Sequence, residues 1–171
     1  MISDFEEWKR KVLNHYNLFM HGNDEDGAHA ICFCNLIDSL EYSATESEAD
    51  FLFSLFTNEE DYEVLETVVQ QLWGMKDKRL FAKCLLKAFP NLINNANKWA
   101  EDFLYCLEQK NEVLQIVSKL ENKNYIISYA EELEQNLLTD LSNNQISLSF
   151  EQSNIHRLRK LLAVLKNEQL I

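Results

Sequence analysis

Lysine and arginine are absent from residues 12–75, and the whole chain of 171 residues holds only three glycines and one proline. So few glycines and prolines cannot supply the turns of a sandwich or barrel, which leaves helices joined by short polar connections. No apolar run approaches the roughly 18 residues of a membrane span. The cysteines Cys32, Cys34, Cys84 and Cys106 sit in apolar, helix-like runs with no compact spacing framework. The chain opens on Asp4, Glu6 and Glu7 rather than on a secretory leader, so a cytoplasmic protein with reduced thiols is expected. There is no glycine loop of the kind that cradles phosphate.

What is present is an ordinary globular composition, 46% apolar, in a chain of the length of one domain. A single helical domain over residues 1–171 is expected, with an acidic part (1–75) and a charge-balanced part (76–171). Residues 1–66 hold 16 acids and 3 bases, net −13, while residues 67–171 hold 12 acids and 13 bases, net +1. Thirteen acids fall within residues 12–75. A solvated helix usually mixes both signs, because opposite charges four residues apart stabilise it. An unmixed acidic stretch forgoes that gain and creates a field that speeds encounter with cations. It also repels phosphate backbones and anionic lipid, so nucleic acid and membrane surfaces are not expected partners, nor is a small-molecule substrate.

Helical spacing recurs along the chain. Ser3 with Glu6 forms a capping-box signature ahead of Phe5, Trp8, Val12, Tyr16 and Phe19, predicting a helix that ends near Gly22. Asn23 or Asp24 can cap a second helix with a buried stripe of Ala30, Cys34 and Ile37, flanked by Ile31 and Leu40. Thr45 with Glu48 is a second capping box, leading into Ala49, Leu52, Phe53 and Phe56. Asn58 can cap the helix of Tyr62, Leu65, Val68, Val69 and Leu72, which Trp73 and Gly74 end. After a turn at 76–78 come Leu80, Phe81, Cys84, Leu85 and Ala88; Pro90 should close that helix and open the next. The stripe Leu92, Ala96, Trp99, Phe103 and Leu107 follows, then a shorter helix with Val113, Leu114, Val117 and Leu120. Beyond a turn at 122–124, Ile126, Tyr129, Ala130, Leu133 and Leu137 mark another helix. Residues 142–149 read as an ordered loop. A last helix carries Ile155, Leu158, Leu161, Leu162 and Leu165, with Arg157, Arg159, Lys160 and Lys166 on its polar side. The prediction is an all-α fold of about nine helices in antiparallel pairs, either an irregular HEAT-like stack or a compact orthogonal bundle. No self-similar repeat supports a strict array.

The candidate chemistry is sparse. His29 and Cys32 share a helical face but Cys34 points away, and no second Cys or His pair lies nearby to complete a metal site. Aligning Gly27 with the glycine of a calcium loop would put Gly22 and Phe33 at ligand positions, and neither can coordinate. His15 lies beside an apolar stripe and reads as packed; neither His21 nor His156 has a nucleophile at a telling distance. Glu59, Glu60 and Asp61 fall in a first helical turn, where capping is the default for carboxylates. No catalytic residue, metal or cofactor is expected. Tyr42, between Glu41 and the acids Glu46 and Glu48, is a candidate exposed anchor.

Tyr62 and Leu65 open a helix ending in Leu72, Trp73 and Gly74; Leu80, Phe81, Leu85 and the succession Phe89, Pro90, Asn91, Leu92 follow, then Ala96, Trp99 and Ala100. Over residues 62–107 this resembles the helical immunity proteins of bacterial polymorphic-toxin and contact-dependent growth inhibition systems. The resemblance implies a protein that binds and neutralises a toxin domain. A nuclease-like toxin needs basic surface to hold nucleic acid, which an acidic inhibitor can cover. The expected partner-binding residues are Asp24, Glu25, Asp26, Glu41, Tyr42, Glu46, Glu48 and Asp50, with Glu59, Glu60, Asp61 and Glu63 as a second group. An alternative is an acidic helical adaptor or secretion chaperone that carries a partner without inhibiting it. An enzyme would instead require a cleft with two close carboxylates, or His29 with a second ligand.

Overall fold

Asp4 starts the first helix: its carboxylate accepts the Glu7 backbone N–H at 3.0 Å, and α1 runs Phe5–His21. Ser3 lies outside the described residues, so the capping box expected there does too. The computed structural model describes residues 4–22, 24, 27–58, 62–142 and 148–167. The other helices are α2 (Ala28–Asp38), α3 (Glu46–Ser54), α4 (Tyr62–Gly74), α5 (Lys78–Asn95), α6 (Asn97–Gln109), α7 (Asn111–Val117), α8 (Asn124–Ser142) and α9 (Leu148–Lys166). A single 3-10 turn (Glu121–Lys123) precedes α8. Among the described residues there is no strand, so the fold is all-α, as the scarcity of glycine and proline implies. Two compact units divide the chain, Met1–Cys84 and Leu85–Ile171.

In the first unit α1 packs on α2, and α4 packs on both α2 and α3. The Trp8 Nε1–H donates to the Leu36 carbonyl at 3.0 Å, while His15 meets His29, so α1 and α2 run antiparallel. Trp8, Val12 and Tyr16 are buried, as their spacing predicts. On α2 the buried side chains are Phe33 and Ile37, not the stripe of Ala30 and Cys34, and Ile31 is 61% exposed. Both stripes have helical spacing and differ by a small rotation. Phe33 decides between them, because its ring has more apolar area to bury and stacks edge-on with Phe19 at 5.1 Å. The Thr45 capping box forms as expected and starts α3. Ala49, Leu52, Phe53 and Phe56 are buried behind it. Residues 59–61, between Asn58 and the first residue of α4, lie outside the described residues, and the cap expected from Asn58 falls there too.

The second unit holds two corrections. Pro90 lies inside α5, which runs on to Asn95. Its missing N–H removes one helical hydrogen bond, but Phe89 and Leu92 on either side are buried, and that burial favours continuing the helix. The break comes at Ala96 (φ −154°, ψ 51°) instead. Ala96 still donates to the Leu92 carbonyl at 2.8 Å and accepts from Ala100 at 3.0 Å, so the turn leaves neither group unsatisfied. Asn94, Asn95 and Asn97 crowd this point, and asparagine competes with the helix for backbone hydrogen bonds. The second correction concerns residues 142–149: Ser142 closes α8, residues 143–147 lie outside the described residues, and α9 already begins at Leu148. In sequence Ile146, Leu148 and Phe150 alternate with polar residues, and an alternation of only three apolar residues cannot tell strand from helix.

The α9 helix packs on α6, α7 and α8. Its buried stripe is Ile155, Leu158, Leu161, Leu162 and Leu165, facing Phe103, Leu104, Leu107, Val113, Val117, Ile126 and Ala130 in the same core. Arg159 reaches Glu134 at 2.6 Å and Lys166 reaches Glu131 at 2.9 Å, which makes α8 and α9 antiparallel. No described helix is long and apolar enough to cross a membrane.

Candidate partner-binding face

Seven of the expected partner-binding residues lie among the described residues and take distinct roles. Asp24 faces its own helix: its carboxylate accepts the backbone N–H groups of His29 (3.0 Å) and Ala30 (2.9 Å) at the start of α2. The His29 hydrogen bond holds the Asp24 carboxyl below the usual range for aspartate. Gly27, at φ 68°, provides the left-handed residue between them. Glu48 is buried, and its Oε2 accepts the Thr45 N–H at 2.7 Å and the Thr45 hydroxyl at 2.9 Å. It therefore drops out of any surface for a partner. The capping box that predicts α3 commits this carboxylate to the fold. Asp50 is half-buried. Glu25, Asp26, Glu59, Glu60 and Asp61 lie outside the described residues.

Glu41, Tyr42 and Glu46 are exposed and lie within six residues of one another in the chain. Between α2 and α3 the chain turns through two consecutive left-handed residues, Glu41 (φ 49°) and Tyr42 (φ 60°). Such a conformation costs a non-glycine residue about 1–3 kcal/mol and persists only where its surroundings hold it. Here Tyr42 N–H donates to Gln71 Oε1 at 3.0 Å, and the Tyr42 carbonyl accepts from Lys76 N–H at 2.9 Å. Gln71, itself buried, also donates from Nε2 to Asp38 at 3.2 Å. The Tyr42 ring lies over Gly74, where a Cβ would overlap it. Tyr42 is nevertheless 44% exposed. The result is a fixed corner presenting an aromatic ring next to Glu41, with Asp38 joined to it through Gln71 and Glu46 four residues on. Lys76 borders it, with its Nζ on Ser43 Oγ at 3.0 Å.

Glu63 does not join this corner. It is exposed in the first turn of α4, 11 residues before Gly74, which places it about 16 Å along the helix axis from the Tyr42 ring. Glu66 lies one turn further along and is exposed as well. Among the described residues, Glu41, Glu46, Glu63 and Glu66 have no basic partner.

The second unit pairs some of its acids with bases of α9. Glu108 binds Arg157 Nε at 3.3 Å and Lys160 Nζ at 2.6 Å. Arg157 also donates to the Tyr105 carbonyl at 3.0 Å and stacks 4.6 Å from the Tyr105 ring centroid. The bases expected on the solvent side of α9 are thus engaged with acids of α6 and α8. Burial raises the Asp102 carboxyl and the Cys106 thiol above their usual values. Burial, together with the nearby Glu101 and Glu132, pushes the Tyr129 hydroxyl up to about 12.

One contact escaped the sequence reading. His15 Nδ1 and His29 Nδ1 stand 3.0 Å apart across α1 and α2. They are 14 positions apart in sequence, and only the antiparallel packing of two separate helices reveals them as neighbours. Among the described residues no group of three or more His, Cys, Asp or Glu side chains is placed to hold a metal, and no disulfide joins the cysteines. Compared with protein-family models, curated proteins and solved structures, the chain matches none.

Proposed function

We propose that this protein binds a basic protein domain through the acidic side of its first unit and neutralises it by stoichiometric occlusion, as an immunity protein does for a nuclease-like toxin, without catalysing a reaction. The observation that carries this reading is the one-sided charge of residues 12–75. Glu41, Glu46, Glu63 and Glu66 are exposed without basic partners in a stretch free of lysine and arginine, whereas Glu108, Glu131 and Glu134 are paired within the fold. Unpaired surface carboxylates add self-repulsion to the isolated protein. A cationic partner offsets it.

Affinity would concentrate at the corner of Glu41, Tyr42 and Glu46. Close, desolvated charge pairs at interfaces couple by about 1.5–7 kcal/mol, whereas exposed pairs give about 0–1. Tyrosine is among the residues that most often anchor a binding hot spot. Glu63 and Glu66, at the other end of α4, would act on the encounter rate.

The test uses the C-terminal domain of the protein encoded immediately upstream. A one-to-one complex that abolishes that domain's activity is expected. Raising NaCl from about 20 to about 150 mM should slow association tenfold or more, as the Debye length falls towards about 8 Å. Replacing Glu41 and Glu46 by lysine should slow it further and shorten the lifetime of the complex. An association rate indifferent to salt refutes the electrostatic reading. A complex that leaves the partner active favours the alternative, an acidic adaptor or secretion chaperone.

A further inference from the structure

We propose that His15 and His29 form a two-imidazole clamp for a divalent transition-metal ion, joining α1 to α2 at the rim of the first unit. The clamp is built by helix packing rather than by two mobile side chains. Trp8 donates to the Leu36 carbonyl at 3.0 Å, and Phe19 and Tyr16 close on Phe33 at 5.1 and 6.0 Å, so the two helices are fixed on both sides of the pair. Val12 and Phe33, one turn from His15 and His29 on their helices, are fully buried. Asp24 holds the His29 backbone N–H at 3.0 Å, which fixes the first turn of α2. Both rings are half-buried, with centroids 5.3 Å apart and planes tilted by 40°.

Only one proton fits between two ring nitrogens 3.0 Å apart, so one Nδ1 is an acceptor with its lone pair turned towards the other ring. If the donor ring moves its proton to Nε2, both Nδ1 lone pairs face the same gap. No proton is gained or lost in that change. An ion about 2.0–2.1 Å from each nitrogen would then subtend an N–M–N angle of about 95°. That is the cis angle of square-planar and octahedral coordination, the geometries of Cu2+ and Ni2+, and it is narrower than tetrahedral zinc prefers. Because no third protein side chain completes a cluster among the described residues, water would fill the remaining positions. The surroundings favour a cation: Asp24 lies beside His29, and Lys11, one turn before His15 on α1, is paired with Glu7 at 2.8 Å.

The experiment titrates the full chain with Ni2+ alone at mildly alkaline pH, since metal and protons compete for imidazole nitrogen. One ion per chain is expected, with thermal unfolding of the wild type moving upward by a few degrees at saturation. His15→Asn and His29→Asn should each weaken binding about tenfold or more, because losing one ring removes the high effective concentration of the other. Neither variant should then show the thermal shift. His21→Asn, a replacement elsewhere on α1, should bind as wild type does. The absence of saturable binding up to millimolar Ni2+, or binding unaffected by either replacement, overturns the proposal. Should both variants misfold, wild-type ring-proton spectra with Cu2+ decide. Broadening confined to His15 and His29 supports the clamp, and broadening only at His21 or His156 overturns it.

Discussion

Burial alone would raise the Glu108 carboxyl, but the hydrogen bonds from Lys160 and Arg157 outweigh it and hold the group below the usual glutamate range. The Glu108 side chain is only 9% exposed, so this pair is screened less than the exposed pairs around it. A carboxyl whose folded pKa lies below its unfolded one adds stability at pH values above the unfolded pKa, about 4.3, and loses it as pH falls through the folded one. Glu108→Gln is therefore expected to lower stability at pH 7 by about 1–3 kcal/mol, because Arg157 is left half-buried without its anion. Urea unfolding at a series of pH values checks this. The gap between variant and wild type should close below about pH 4. Arg159 with Glu134 and Lys166 with Glu131 are more exposed, and removing either pair should change stability by about 0–1 kcal/mol. None of these pairs was legible in the sequence. Spacing places Arg157 and Lys160 on the polar side of α9, but the acid that meets them is some fifty positions away on α6. His15 and His29 were hidden for the same reason, since each looks ordinary within its own helix.

Thr45 and Glu48 illustrate what is legible at the scale of an element. Their interaction spans three residues, depends only on local backbone geometry, and appears in the structure as the sequence predicts. Thr45→Ala should cost about 1–2 kcal/mol, at the upper end for a cap, because it strips a donor from a buried carboxylate as well as an acceptor from the helix. Thr45→Ser should keep most of the stability. A lowered urea midpoint at unchanged slope would identify a loss of folded-state stability rather than a changed unfolded state. The elements misread in sequence were decided by contacts beyond the element itself. The face that α2 buries is set by the Phe19 ring on α1, and the helix through Pro90 is kept by burial on either side of it. Of the candidate face, Glu41, Tyr42 and Glu46 were legible as neighbours in sequence. The distance of Glu63 from them depends on the length of α4, and the strained backbone that presents Tyr42 depends on Gln71 and Lys76.

At the scale of the whole molecule, charge is divided unevenly along the chain. Residues 1–84 carry 17 acids and 7 bases, net −10, while residues 85–171 carry 11 acids and 9 bases, net −2. Self-repulsion in the first part and attraction to a basic partner come from the same carboxylates, so salt should act on them with opposite signs. For the isolated protein, moving from about 10 mM to about 150 mM NaCl shrinks the Debye length from about 30 to about 8 Å and screens repulsion among the exposed acids. The unfolding temperature should rise by about 2–4 °C, corresponding to roughly 1 kcal/mol for a chain of this size. Over the same range, association with the partner should slow. If Glu41, Glu46, Glu63 and Glu66 served only to keep the surface hydrated, thermal stability would still rise with salt, but no partner's on-rate would fall. If ion pairs dominated the first unit as they do α6, α8 and α9, salt would lower the unfolding temperature instead. Thermal melts and stopped-flow association measured in the same salt series separate the three cases, and a partner-binding role requires both a rising melt and a falling on-rate.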